Sequence, residues 1–150
     1  MGATNSTQSS ITLKTPKGSL RGIQLSDARS GKPVYHRYTR IPYALPPVGP
    51  RRWHKPHPLP EDYSFNADGD QPGDYTSFGP ICPQPAYNHN SVRLDNLDAA
   101  PEPENVQDED CLYLNVWVPV GGDGEKPEGG WPVQFYIRSF SFFPISFLPV

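Results

Sequence analysis

The chain has 150 residues, room for one domain, and proline and glycine make up 22% of it against ~12% in average usage. Leucine, isoleucine, valine and phenylalanine reach 21%, and seven of those 32 residues fall in the last 13; without that tail the share drops to 18%, below the ~20% floor of globular chains. This composition excludes a self-sufficient domain burying the usual ~70% of its surface, and the chain reads as part of a domain. The net charge of −3 conceals a split: residues 1–57 carry ten Lys/Arg and one acid, residues 58–129 two Lys/Arg and fifteen acids. The basic residues are scattered along strand-like segments beside an acidic half that neutralises them, so no nucleic-acid partner is expected.

In chain order, residues 1–10 lack the charged and apolar regions of a signal peptide and read as a disordered N-terminus. They fit the loose Met-Gly-x-x-x-Ser pattern for acylation of Gly2, but no basic residue precedes Lys14 to add a second membrane signal. Ile11–Lys14 and Ser19–Leu25 alternate around Pro16-Lys17-Gly18 and predict a β-hairpin. Val34–Tyr38 is a third strand. Seven prolines between Pro42 and Pro60 exclude a persistent helix or central strand there. Residues 61–110 read as acidic loop, with a short helical turn near Val92–Leu97. Cys111–Val118 is the clearest strand, residues 121–130 a turn, and Trp131–Ile137 a further strand. No apolar run approaches the ~18 residues of a membrane span.

Little of this sequence suggests chemistry by itself. His54 and His57 lack a third ligand at metal-binding spacing, and Asp68–Asp74 resembles a Ca²⁺ loop with Pro72 in place of a ligand, so no metal is expected. Trp53, Trp117 and Trp131 read as core or interface aromatics. Cys82 and Cys111 enclose a polar loop and admit two readings. They are free thiols of a reducing compartment, or a disulfide contributing roughly 3.5 kcal/mol by closing a loop of about 30 residues. Spacing does not choose between them.

The residues around the cysteines are more telling. Glu109-Asp-Cys-Leu-Tyr-Leu-Asn-Val-Trp-Val-Pro119 resembles, at all eleven positions, the signature of type-B carboxylesterases, the cholinesterase-like branch of the α/β-hydrolases. Ile41–Trp53 is similar to that family's Pro-rich loop, and Gly79–Gln84 to the segment bearing its first cysteine. The resemblance runs from about Ile11 to Ile137. It implies an α/β class fold: the N-terminal fragment of an α/β-hydrolase, mostly antiparallel strands and long Pro-rich loops. It also implies a Cys82–Cys111 disulfide and an Arg52–Glu109 salt bridge fastening the Pro-rich loop, a pair costly to break once buried.

The division expected is a disordered 1–10, the N-terminal part of a carboxylesterase domain over 11–137, and a divergent hydrophobic tail over 138–150. Ester hydrolysis on this fold needs Ser on a Gly-x-Ser-x-Gly elbow, an acid, a His and oxyanion-hole amides. No Gly-x-Ser-x-Gly occurs in the chain, and after Ile137 the expected His-Gly-Gly-type turn is replaced by Arg138-Ser-Phe-Ser-Phe-Phe. The expectation is therefore a truncated carboxylic-ester hydrolase with no catalytic residue of its own, no cofactor and no activity alone. A separately made C-terminal half would be one partner, and an ester substrate enters only with the full-length domain. The alternative is a non-catalytic interaction module using the Pro-rich loop or a sheet edge. A cytoplasmic location is expected, with an extracellular one as the alternative.

Overall fold

In a computed structural model of the chain, the residues described are 6–83, 107–120 and 127–137. The helical turn expected near Val92–Leu97, the turn over 121–126 and the tail from Arg138 lie outside them. The described residues form one five-stranded sheet with three long strands: β1 (Ser6–Thr15), β2 (Gly18–Asp27) and β3 (Pro33–Pro42). A two-residue β4 (Gly73–Asp74) and β5 (Tyr113–Pro119) complete it. The spatial order is β1-β2-β3-β5, with β4 parallel to β2 and the other pairings antiparallel. One short 3₁₀ turn, Gly49–Arg51, interrupts the loops. No helix of the described residues is long and apolar enough to cross a membrane.

The hairpin forms at Pro16-Lys17, where the Thr15 hydroxyl donates to Gly18 O at 2.8 Å. Its first strand reaches back to Ser6, which corrects the disordered reading of 1–10 for Ser6–Ser10. Those polar residues carry no apolar alternation, but their main chain pairs with Ile23–Asp27 in unbroken register. The β2–β3 turn is tied by the Asp27 carboxylate, which accepts from Ser30 N–H at 2.7 Å, Arg29 N–H at 3.0 Å and the Ser30 hydroxyl at 2.9 Å. The bonds from Ser30 lead in holding the Asp27 carboxyl below its ordinary value.

A second correction concerns Trp131–Ile137, which forms no strand. Val133 is 90% exposed and Tyr136 82%, and no described segment pairs with this stretch; without a ladder partner, apolar content does not make a strand.

The core is small: Leu20 of β2, Tyr38 of β3 and Tyr75, with Ile11, Ile41 and Phe65 packed around them. Phe65 and Tyr75 meet edge to face at 6.1 Å, and the Tyr75 hydroxyl donates to Phe65 O at 3.3 Å. Thr39 is fully buried and spends both donors on one acceptor, the Tyr75 carbonyl, at 2.9 Å from N–H and 3.1 Å from Oγ1. Between Tyr38 and Ile41, β3 carries one residue more than the facing stretch of β5. Arg40 absorbs the excess at φ 57°, and its N–H donates to the Asn115 side chain at 3.0 Å. A non-glycine residue in this left-handed region costs ~1–2 kcal/mol, so the bulge persists because the packing of Tyr38 and Ile41 demands it.

Burial sets the alkaline behaviour of this core. It pushes the Tyr75 hydroxyl up to about 12 from 10.0 and raises Tyr38 and Tyr63 as well. The folded state therefore holds phenolic protons that the unfolded chain releases above pH 10. Stability is full below that value and falls as pH rises from 10 towards about 12. Urea midpoints measured across alkaline pH should show this decline, and Tyr75→Phe should make it shallower.

Candidate functional site: the Pro-rich loop and its anchors

Pro42–Pro60 leaves the end of β3 and folds back on itself. Leu45 N–H donates to His57 O at 2.8 Å, closing the loop at its base. Pro50 is the second residue of the 3₁₀ turn, within the first turn, where proline's missing N–H costs nothing. Arg51 N–H then bonds Val48 O and Arg52 N–H bonds Gly49 O, both at 3.1 Å. Arg51 Nε donates to the Pro46 carbonyl at 2.7 Å. On the hairpin side, Lys17 Nζ donates to Glu61 O at 3.0 Å and Pro60 O at 3.3 Å, tying the exit of the loop to the β1–β2 turn.

Three connections fasten this loop and the Ile81–Cys82 segment to the residues that lead into β5. Cys82 and Cys111 form a disulfide with Cα atoms 5.1 Å apart, closing a loop of sequence separation 29. Arg52 Nη2 lies 2.7 Å from Glu109 Oε1. Tyr43 N–H donates to Leu112 O at 3.3 Å. Beside the disulfide, Asp108 N–H donates to Ile81 O at 3.1 Å, and Ile81 bridges Gln107 in parallel. Sequence reasoning names the two side-chain links but not these backbone ones, because main-chain pairing of isolated residues has no compositional mark.

The ion pair is half-exposed, with 50% of the Arg52 side chain and 36% of Glu109 open to solvent. The penalty attached to a buried pair therefore does not apply, and the range for surface pairs does: ~0–1 kcal/mol. Arg52→Gln and Glu109→Gln should each lower the urea midpoint by less than ~1 kcal/mol equivalent, with the difference shrinking further in high salt. Trp53, read from sequence as a core or interface aromatic, is 93% exposed and stands at φ 63°, its ring 5.6 Å from the Arg52 guanidinium. At the head of β5, burial leads in raising the Tyr113 hydroxyl above its ordinary value, and a hydrogen bond with Asp110 adds to it.

The site as described is an anchoring device. Side chains that fasten backbone segments surround it, and no hydroxyl or thiol within it is paired with an imidazole among the described residues. His36, the one histidine with a described side-chain hydrogen bond, meets the Gln24 carboxamide at 3.2 Å.

Comparison with known proteins bears on what such a device belongs to. The model of the carboxylesterase family matches residues 9–144, running past Ile137. An uncharacterised esterase/lipase of Schizosaccharomyces pombe is 44% identical over 128 residues, 85% of this chain and 21% of that protein. A carboxylic ester hydrolase of Gibberella moniliformis is 40% identical over 121 residues, 81% of this chain and 19% of its own length. Among solved structures, a PNB esterase aligns at 32% identity with a TM-score of 0.46, over 72% of this chain and 16% of that one. The chain thus spans about a fifth of the length of the curated relatives it matches.

Proposed function

Because the chain belongs to the carboxylesterase family, we propose that it is the N-terminal scaffold of a carboxylic-ester hydrolase and turns over no ester alone. The observation that carries this reading is the triple fastening of the Pro-rich loop and the Cys82 segment to the approach of β5, by disulfide, ion pair and backbone bond. Such fastening fixes the shape of a rim and supplies no nucleophile. Acyl transfer needs a hydroxyl held on a strained elbow, an imidazole to take its proton, a carboxylate to orient that imidazole, and amides to receive the oxyanion. The 150 residues contain no Gly-x-Ser-x-Gly to provide the first of these.

Of the two compartments weighed from sequence, the Cys82–Cys111 bridge supports the extracellular one, since disulfides persist where thiols are not kept reduced. The test is direct. The purified chain should not hydrolyse a short acyl ester such as p-nitrophenyl acetate above the buffer rate. Turnover abolished by a serine-directed organophosphate would overturn the reading.

A further inference from the structure

A cleft of about 130 Å³ lies between the Pro-rich loop and the residue before β5. Its floor is apolar, with Leu45 and Pro47 from the loop and Leu112 from the approach to the strand. Its rim carries Arg51, His54, Lys55 and His57, and no lining residue is acidic. The rim is braced by main chain. Leu45 N–H holds His57 O at 2.8 Å, His54 N–H bonds Arg51 O at 3.3 Å, and Arg51 Nε is fixed on Pro46 O at 2.7 Å. With prolines on both sides of these contacts, little conformational freedom remains to be lost on binding.

The rim is also short of negative charge. Arg52 is neutralised by Glu109, whereas the side chains of His54, Lys55 and His57 make no hydrogen bond or ion pair among the described residues.

We propose that this cleft binds a small organic monocarboxylate, the carboxylate on the Arg51, His54, Lys55 and His57 rim and the hydrocarbon part on Leu45, Pro47 and Leu112. Size selects the class: about 130 Å³ is well below the ~300–1,000 Å³ of drug-sized pockets. A benzoate or butyrate fits that scale. An inorganic anion would satisfy the rim yet leave the apolar floor wet, forgoing the ~25 cal/mol per Å² that its coverage contributes. Nothing in this proposal rests on the ester-hydrolase reading, and neither fails with the other.

The experiment is a titration of the full chain with sodium benzoate at constant ionic strength, following the histidine ring signals by NMR. The His54 and His57 signals should shift saturably while His36, occupied with Gln24, stays still. Lys55→Gln combined with His54→Gln should weaken binding about tenfold or more, as for loss of charge-assisted bonds. These two exposed side chains form no described contact that folding needs. Leu112→Asn should weaken benzoate while leaving phosphate unchanged. An absence of saturation overturns the proposal. So does phosphate binding as tightly as benzoate, which would make the rim a general counter-ion attractor, or wild-type affinity in the Lys55/His54 double variant.

Discussion

Gly22→Ala is expected to cost ~3–5 kcal/mol, at the severe end of single substitutions. A methyl group at Gly22 would stand 2.5 Å from the Arg37 carbonyl and 2.5 Å from the Tyr38 ring, closer than the 3.0 Å that real Cβ atoms respect. Neither neighbour gives way cheaply. Arg37 pairs with Ile23 in the β2–β3 ladder, so moving its carbonyl opens the centre of the sheet. Tyr38 is one of the three core residues, so turning its ring strips contacts from Leu20 and Tyr75. Gly31→Ala is the control. Its Cβ would meet nothing within 4 Å, and only the strain of φ +67° remains, worth ~1–2 kcal/mol. Urea midpoints of the two variants decide the matter, and a Gly22→Ala change no larger than that of Gly31→Ala would refute the steric account.

Removing the disulfide is expected to have the other large effect, ~2–5 kcal/mol for a Cys82→Ser, Cys111→Ser double variant. The bridge closes a loop of sequence separation 29, and without it the unfolded chain regains the freedom of that loop while the folded chain keeps only weaker fastenings. Those are the Arg52–Glu109 pair, at ~0–1 kcal/mol, and single backbone bonds such as Tyr43 N–H to Leu112 O. A thiol reductant should therefore lower the wild-type midpoint by about the same amount as the double substitution and leave the double variant where it is. A midpoint insensitive to reductant would mean that the bridge contributes nothing.

Much of this sheet is legible in the sequence. The alternation at Ile11–Lys14 and Ser19–Leu25 about a Pro-Lys-Gly turn marks the first hairpin, and Cys111–Val118 marks β5 to within two residues. What escaped has physical causes. Ser6–Ser10 are polar and pair through main chain alone, which no hydrophobic period reports. Gly73–Asp74, read as part of the acidic loop over 61–110, is a strand too short to have a period, although it delivers Tyr75 to the core. Trp131–Ile137 has the apolar content of a strand without a neighbour to pair with in the described residues. At the candidate site the signature residues identified the side-chain links, but the cleft beside them arises from the way Leu45 closes on His57, a contact between residues twelve apart that composition does not encode.

The bulge at Arg40 has a consequence for how this protein tolerates changes in length. In an unbroken strand, residues three apart point to opposite faces, yet Tyr38 and Ile41 both pack on the core because the extra residue shifts the alternation between them. Deleting Arg40 would leave Tyr38 and Ile41 two residues apart, still opposite Val116 and Leu114, and so restore strict alternation with Ile41 kept on the core face. Substituting Arg40 by glycine would keep the count and relieve the backbone. Between Tyr38 and Ile41 the strand thus carries one residue more than its ladder needs, and losing that residue should be far less damaging than adding a second.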